Sequence, residues 1–294
     1  MILQKYSNFL NMQGLKKNFC NFVFEKDAKP MEQERKQWAL LTGASRGIGL
    51  ELARGLAARG YCLALVARGK EGLLAARERL LSEGAPEVVT LALDLAESGA
   101  PQRLYEECLG RGLEVEVLVN NAGVFAYCDL CDMEPERVEQ VLALHVEATT
   151  HLCRLFARDM CARGRGHILN MSSYASWLPL GGLSLYAPTK AYVREFSYAL
   201  REELRDCGVG VTVAVPAGVA TDFYGLPERY QRLGVRLGVL LTPEKVARKC
   251  LSGMFADRRR VALGWGYRVL IPLLRHLPRG VKKLIKKKTL VFQK

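Results

Sequence analysis

Between Trp38 and Ala57 an apolar run, a glycine-rich turn and an amphipathic helical pattern follow one another without a break. Trp38-Ala39-Leu40-Leu41 reads as a buried strand, and Thr42-Gly43-Ala44-Ser45-Arg46-Gly47-Ile48-Gly49 as the turn. Ile48, Leu52 and Leu56 then fall on one helical stripe, with Ala53 and Ala57 beside them. Glycines at such a turn let the backbone bend sharply and approach a ligand, while free N–H groups at the helix start favour a pyrophosphate. A glycine triplet alone is a weak signal; strand before and helix after make it specific for a dinucleotide-binding turn.

The next strand pattern, Tyr61 to Ala67, ends where an NAD site would place a carboxylate on the ribose. Ala67 and Arg68 stand there instead. With Arg46 inside the turn, two guanidinium groups fall where an adenosine 2′-phosphate would lie, and their planar forks suit it. The cofactor expected is therefore NADP (NADPH). The alternative is that both arginines are ordinary surface residues at strand ends.

Strand and helix patterns alternate from there. Helical stretches cover Lys70 to Glu83, Pro101 to Arg111, Pro135 to Cys161 and Tyr186 to Cys207. Strands cover Val88 to Leu93, Val115 to Val119, Gly166 to Met171 and Val209 to Val215. Such alternation predicts an α/β fold, a doubly wound parallel sheet with helices on both faces. Its strand ends bring Gly43, Asp94, Asn120, Ser173 and Pro216 to one rim, where ligands bind.

Tyr186 and Lys190 sit four residues apart, on one face of the predicted helix. A lysine cation near a phenol favours the phenolate, which suits the tyrosine to general acid–base work at a carbonyl or alcohol. Ser173, thirteen positions before Tyr186, could donate a hydrogen bond to the same substrate oxygen. The bland alternative is a chance i,i+4 pair and a serine serving only as a cap.

Composition narrows the class. Of the net charge of +13, residues 258–294 hold +12 and residues 1–30 hold +3, leaving residues 31–257 at −2. A near-neutral body excludes nucleic-acid binding by the whole chain. Nine cysteines without regular spacing fit a reducing cytosol rather than a disulfide framework. Cys128 and Cys131 form a lone CxxC without further ligands, so no metal is expected. Residues 1–35 are read as a disordered extension or as sequence ahead of a true start at Met31. Residues 36–264 form the single α/β domain and residues 265–294 a basic amphipathic extension. That tail either lies on an anionic membrane surface or packs on the body, ending in solvated lysines; no apolar run is long enough to span a bilayer.

Taken in order, these motifs resemble the short-chain dehydrogenases/reductases, a family with a Rossmann-type sheet. The matching segments are Thr42 to Gly49, Asp94, Asn120-Asn121-Ala122-Gly123, the set Ser173, Tyr186 and Lys190, and Pro216-Ala217-Gly218-Val219-Ala220-Thr221, within roughly residues 36–260. The resemblance implies a cofactor held by Gly43, Ser45, Arg46, Gly47, Ile48, Gly49 and Arg68. Asp94 and Leu95 would meet the adenine, Asn121, Ala122 and Gly123 the fourth strand's end, Tyr186 and Lys190 the nicotinamide ribose, and Val219 and Thr221 the carboxamide. It also implies carbonyl–alcohol chemistry with Ser173, Tyr186 and Lys190 as catalytic residues.

Three departures are visible. His145 stands at the family's catalytic asparagine position; it is expected to hold the same water while neutral, and to lose it on protonation. Ala217 replaces a usual glycine and is expected to tighten the backbone beside the nicotinamide. Pro188 is tolerable only in the first helical turn. The segment from Phe223 to Leu241 is expected to cover the substrate, its Tyr224, Leu226, Tyr230, Leu233, Val235 and Leu237 lining a site for a lipophilic carbonyl or alcohol; the alternative is a lid helix that simply packs on the body. A cytoplasmic homodimer or homotetramer is expected. A cofactor-binding sensor or scaffold without turnover is the competing reading.

Overall fold

The computed structural model describes residues 36–264 apart from 179, together with residues 271, 273, 276–281, 283 and 286. The expectations for residues 1–35 lie outside the described residues. Seven strands form one parallel sheet: β1 (Trp38–Thr42), β2 (Cys62–Ala67), β3 (Val88–Ala92), β4 (Val115–Asn120), β5 (Gly166–Met171), β6 (Val209–Pro216) and β7 (Arg260–Leu263), in the order β3-β2-β1-β4-β5-β6-β7. Strand order reverses between β1 and β4, so the loops leaving those two strands part and open a crevice.

Among the described residues eight α-helices flank the sheet: α1 (Gly47–Ala57), α2 (Lys70–Ser82), α3 (Ala100–Gly110), α4 (Pro135–Leu142), α5 (Ala148–Arg163), α6 (Tyr186–Leu204), α7 (Glu228–Arg236) and α8 (Pro243–Phe255). Every residue of β1 is buried, because alternate side chains meet different helices. Ala39 and Leu41 pack with α1, α2 and α8, while Trp38 and Leu40 pack with α3, α5 and α6. That is the doubly wound sheet the alternation predicts. β7 escaped sequence reading, since Arg258-Arg259-Arg260 precede its short apolar stretch and mask a strand pattern. It pairs with β6 from Val213↔Arg260 to Pro216↔Leu263.

One predicted element differs in kind. The helical pattern from Pro135 to Cys161 is interrupted by a π-helical turn at Ala143–Glu147. An inserted residue rotates everything before it, and such turns recur at functional sites. Here the insertion turns His145 into the interior, where it is 1% exposed.

The tail is not separate from the body at the points described. Ile271 is buried against Tyr174, Val213, Val215 and Ala217, and Lys286 pairs with Asp129. Both contacts favour the packed reading of the tail. Among the described residues no helix is long and apolar enough to cross a membrane.

Candidate active site

The crevice at the strand-order reversal is a cleft of about 670 Å³. Every residue expected to touch the cofactor lines it, from Gly43 and Arg68 at one end to Tyr186 and Thr221 at the other, as does Ser173; His145 and most of the expected lid residues do not.

Its floor is the turn after β1. Gly43 and Gly47 have φ of +65° and +59°, a backbone that favours glycine. A Cβ on Gly49 would lie 2.2 Å from the Gly43 carbonyl oxygen, so that position admits no side chain without moving backbone. The turn is bracketed from β4. Thr42 Oγ1 accepts the N–H groups of Asn121 (3.0 Å) and Ala122 (2.9 Å), and Asn121 Nδ2 donates to the carbonyls of Thr42 (3.0 Å) and Gly43 (3.1 Å). Asn121 therefore holds the turn with its side chain. Thr42 is the partner that sequence reading missed; a hydroxyl ending an otherwise apolar strand was the available signal.

At the end of the cleft beside β2, Arg46 and Arg68 are exposed and loosely paired with Asp222 (3.8 Å) and Asp94 (3.9 Å). Asp94 also accepts the Ala96 N–H. These long, solvated pairs contribute little to stability, so both guanidinium groups stay available to an anion. A tight glycine turn, the N–H groups opening α1 and two cationic forks suit a phosphorylated dinucleotide.

At the other end α6 begins at Tyr186, which puts Pro188 in the first turn, where its missing donor is not needed. Tyr186 and Lys190 are 3% and 5% exposed. Ser173, extended after β5, accepts the Ala175 N–H, and its hydroxyl favours the Tyr186 phenolate. Lys190 Nζ lies 5.9 Å from the Tyr186 ring centre and donates to the Met171 carbonyl at 3.0 Å. Burial pushes the Tyr186 phenol above its ordinary range, with Tyr224 adding to the rise and the Ser173 hydroxyl opposing it. Burial also lowers Lys190 to about 8. The expected lowering of Tyr186 by Lys190 is thus reversed here, because desolvation outweighs a cation turned towards a carbonyl.

His145 departs from expectation more sharply. Its Nε2 accepts the Val124 N–H at 3.0 Å, so Nδ1 carries the proton and donates to Thr189 Oγ1 at 2.9 Å; that hydroxyl donates in turn to the Tyr186 carbonyl at 2.8 Å. Both ring nitrogens are spent inside the protein, and neither is left for a water. Burial, then Lys190 and Arg137, holds the imidazole well below its ordinary pKa. The proposed water relay and acid switch are therefore corrected to a buried brace between the β4 loop and the first turn of α6.

Two other expectations change. Ala217 turns into the packing with Val213, Val215 and Ile271 rather than towards the cleft. In the lid segment Tyr230, Leu233 and Leu237 are 40%, 49% and 67% exposed, whereas Phe223, Tyr224 and Gln231 line the cleft. Tyr230 and Leu233 share one face of α7, and that face points outward.

The family described as short chain dehydrogenase matches residues 37–227. The chain is 35% identical over 181 residues to a very-long-chain 3-oxoacyl-CoA reductase of Phaeosphaeria nodorum, covering 60% of this chain and 53% of the relative. It is 30% identical over 241 residues to 11-beta-hydroxysteroid dehydrogenase A of Sesamum indicum, covering 78% and 69%. The chain thus spans about half to two thirds of the length of these curated relatives. Among solved structures it is similar to a short-chain dehydrogenase from Sphingobium yanoikuyae in complex with NADPH, at TM-score 0.69 and 29% identity, over 77% of this chain and 87% of that one.

Proposed function

Since this chain belongs to the short-chain dehydrogenases, an oxidoreductase family, we propose that it is an NADPH-dependent reductase of a neutral, lipophilic ketone or aldehyde. The observation that carries the reading is the meeting of Ser173, Tyr186 and Lys190 at one end of a glycine-floored cleft. Relatives named for 3-oxoacyl-CoA and hydroxysteroid chemistry support the substrate class, and a neighbour solved with NADPH supports the cofactor.

In this reading Gly43, Ser45, Gly47, Ile48 and Gly49 cradle the pyrophosphate, and Arg46 and Arg68 hold the 2′-phosphate. Asp94 and Leu95 flank the adenine, Asn121, Ala122 and Gly123 close the wall, and Val219 and Thr221 face the nicotinamide. Lys190 holds the adjoining ribose. When bound, the nicotinamide supplies a hydride to the carbonyl carbon. Ser173 and Tyr186 hydrogen-bond the carbonyl oxygen, and as its C=O π pair becomes an alkoxide lone pair the Tyr186 proton passes to it. A phenol pushed upward by burial stays protonated at neutral pH, the form a proton donor needs. His145 positions Tyr186 through Thr189 and does not relay protons.

Nine cysteines without regular spacing support a reducing compartment, and a homo-oligomer is part of the same reading. The test is NADPH oxidation against a panel of lipophilic ketones and aldehydes. Tyr186→Phe should lose turnover by at least about a hundredfold while keeping NADPH affinity; equal turnover in the two proteins would remove Tyr186 from the chemistry.

A further inference from the structure

Tyr186 is almost wholly buried, and what buries it on the substrate side is aromatic. Phe125, on the loop after β4, lies with its ring centre 5.1 Å from that of Tyr186 and 5.0 Å from that of Tyr224, meeting both edge to face at 76° and 81°. Phe223 stands 5.9 Å from Phe125, 6.3 Å from Tyr186 and 5.3 Å from Tyr224, the last again edge to face at 87°. Tyr127 stacks on the outer side of Phe125 at 6.2 Å and 20°.

The two walls of this cluster are held differently. Arg137 Nη2 donates to the Phe125 carbonyl at 2.7 Å, and the Cys128 N–H donates to the Gly182 carbonyl at 3.0 Å, which ties down the Phe125–Tyr127 strip. Phe223 and Tyr224 ride on a single short turn, Asp222–Tyr224, which ends in the exposed Gly225 at φ +65°. The turn is tied in by the Phe223 N–H on Thr221 Oγ1 at 3.4 Å and by Gln231 Nε2 on Asp222 Oδ1 at 3.4 Å, and a carbonyl that reaches Tyr186 and Ser173 must part the two walls.

Three cations besides Arg137 lie around the cluster. Lys190 turns to the Met171 carbonyl, Lys286 pairs with Asp129 beyond Tyr127, and Asp222 faces Arg46. A substrate that merely parts the rings loses their edge-to-face contacts. A flat ring would instead replace the edge-to-face contacts it displaces, whereas an alkyl body of equal size replaces only the buried area.

We infer that the site selects ketones whose carbonyl carries an aromatic ring, clamped between Phe125 and the Phe223–Tyr224 turn. The inference rests on the reductase reading above. The test compares acetophenone with cyclohexyl methyl ketone, which share size and carbonyl but not aromaticity, by kcat/KM with NADPH and by calorimetric binding to the same protein. The wild type should favour acetophenone about tenfold in both, the scale of two edge contacts. Phe125→Leu and, on the opposite wall, Tyr224→Leu should each bring the ratio near one, with thermal melting confirming that they fold. Equal binding of the two ketones to the wild type, or a preference untouched in both folded variants, overturns the inference. A binding preference without turnover of either ketone keeps the aromatic clamp and overturns the reductase reading instead.

Discussion

Lys190→Met is the substitution whose outcome the structure fixes most closely. Lys190 is buried, and burial lowers it from 10.5 to about 8. Each unit corresponds to about 1.4 kcal/mol, so holding the ammonium in this site costs the fold about 3 kcal/mol at pH 7. Methionine nearly conserves the volume and carries no charge. It leaves the Met171 carbonyl without its donor at 3.0 Å, which returns about 1 kcal/mol. The variant should therefore be more stable by about 2 kcal/mol at neutral pH, or about 4–8 °C in Tm for a domain of this size, while losing turnover. The pH dependence gives the sharper test. The folded pKa lies below the unfolded one, so between pH 8 and about 10.5 the unfolded chain keeps a proton that the folded chain has released. Wild-type stability gains from this group as pH rises through that window, and the variant has no such gain. Urea unfolding of both proteins at pH 7 and pH 10 should show the variant ahead at the first and its lead closed or reversed at the second. Taking the difference cancels cysteines such as Cys108 and Cys153, raised to about 12, which titrate in both proteins. A lead that is the same at both pH values, or a wild type that is the more stable at pH 7, would refute the reasoning.

Three more outcomes are expected. NADPH should bind more tightly than NADH by about 1–3 kcal/mol, and Arg68→Ala should remove most of that difference without changing Tm, because its pair with Asp94 is long and exposed; fluorescence titration of both cofactors checks this, and an unchanged ratio would take Arg68 out of the phosphate site. Gly49→Ala should weaken NADPH binding at least about tenfold and cost about 1–3 kcal/mol of stability, since the added carbon meets the Gly43 carbonyl; a variant matching wild type in both would show a slack turn. His145 is neutral when folded but takes a proton when unfolded below about pH 6.5, so its contribution is whole above that pH and falls by about 1.4 kcal/mol per unit below it. His145→Asn should reduce that acid slope and should not move the pH–rate profile near neutrality, and a shifted limb between pH 6 and 7 would restore the switch.

The sequence by itself determined the sheet and the address of the site. Apolar runs alternating with helical stripes can bury both faces only in a parallel sheet, and a glycine turn between strand and helix marks where its order reverses. Ser173, Tyr186 and Lys190 were legible because i,i+4 spacing and a strand end set their geometry locally. What the sequence could not supply depends on contacts between distant segments. One residue inserted in a helix at Ala143–Glu147 decided that His145 faces Val124 and Thr189 instead of a water. The depth of burial decided that Tyr186 rises and Lys190 falls, where spacing alone predicted a lowered phenol. The packing of α7 decided that Leu233 and Leu237 face outward and that Phe223 and Tyr224 line the cleft. Periodicity groups side chains onto a face, but which way that face turns, and how much water it loses, is set by the elements packed against it.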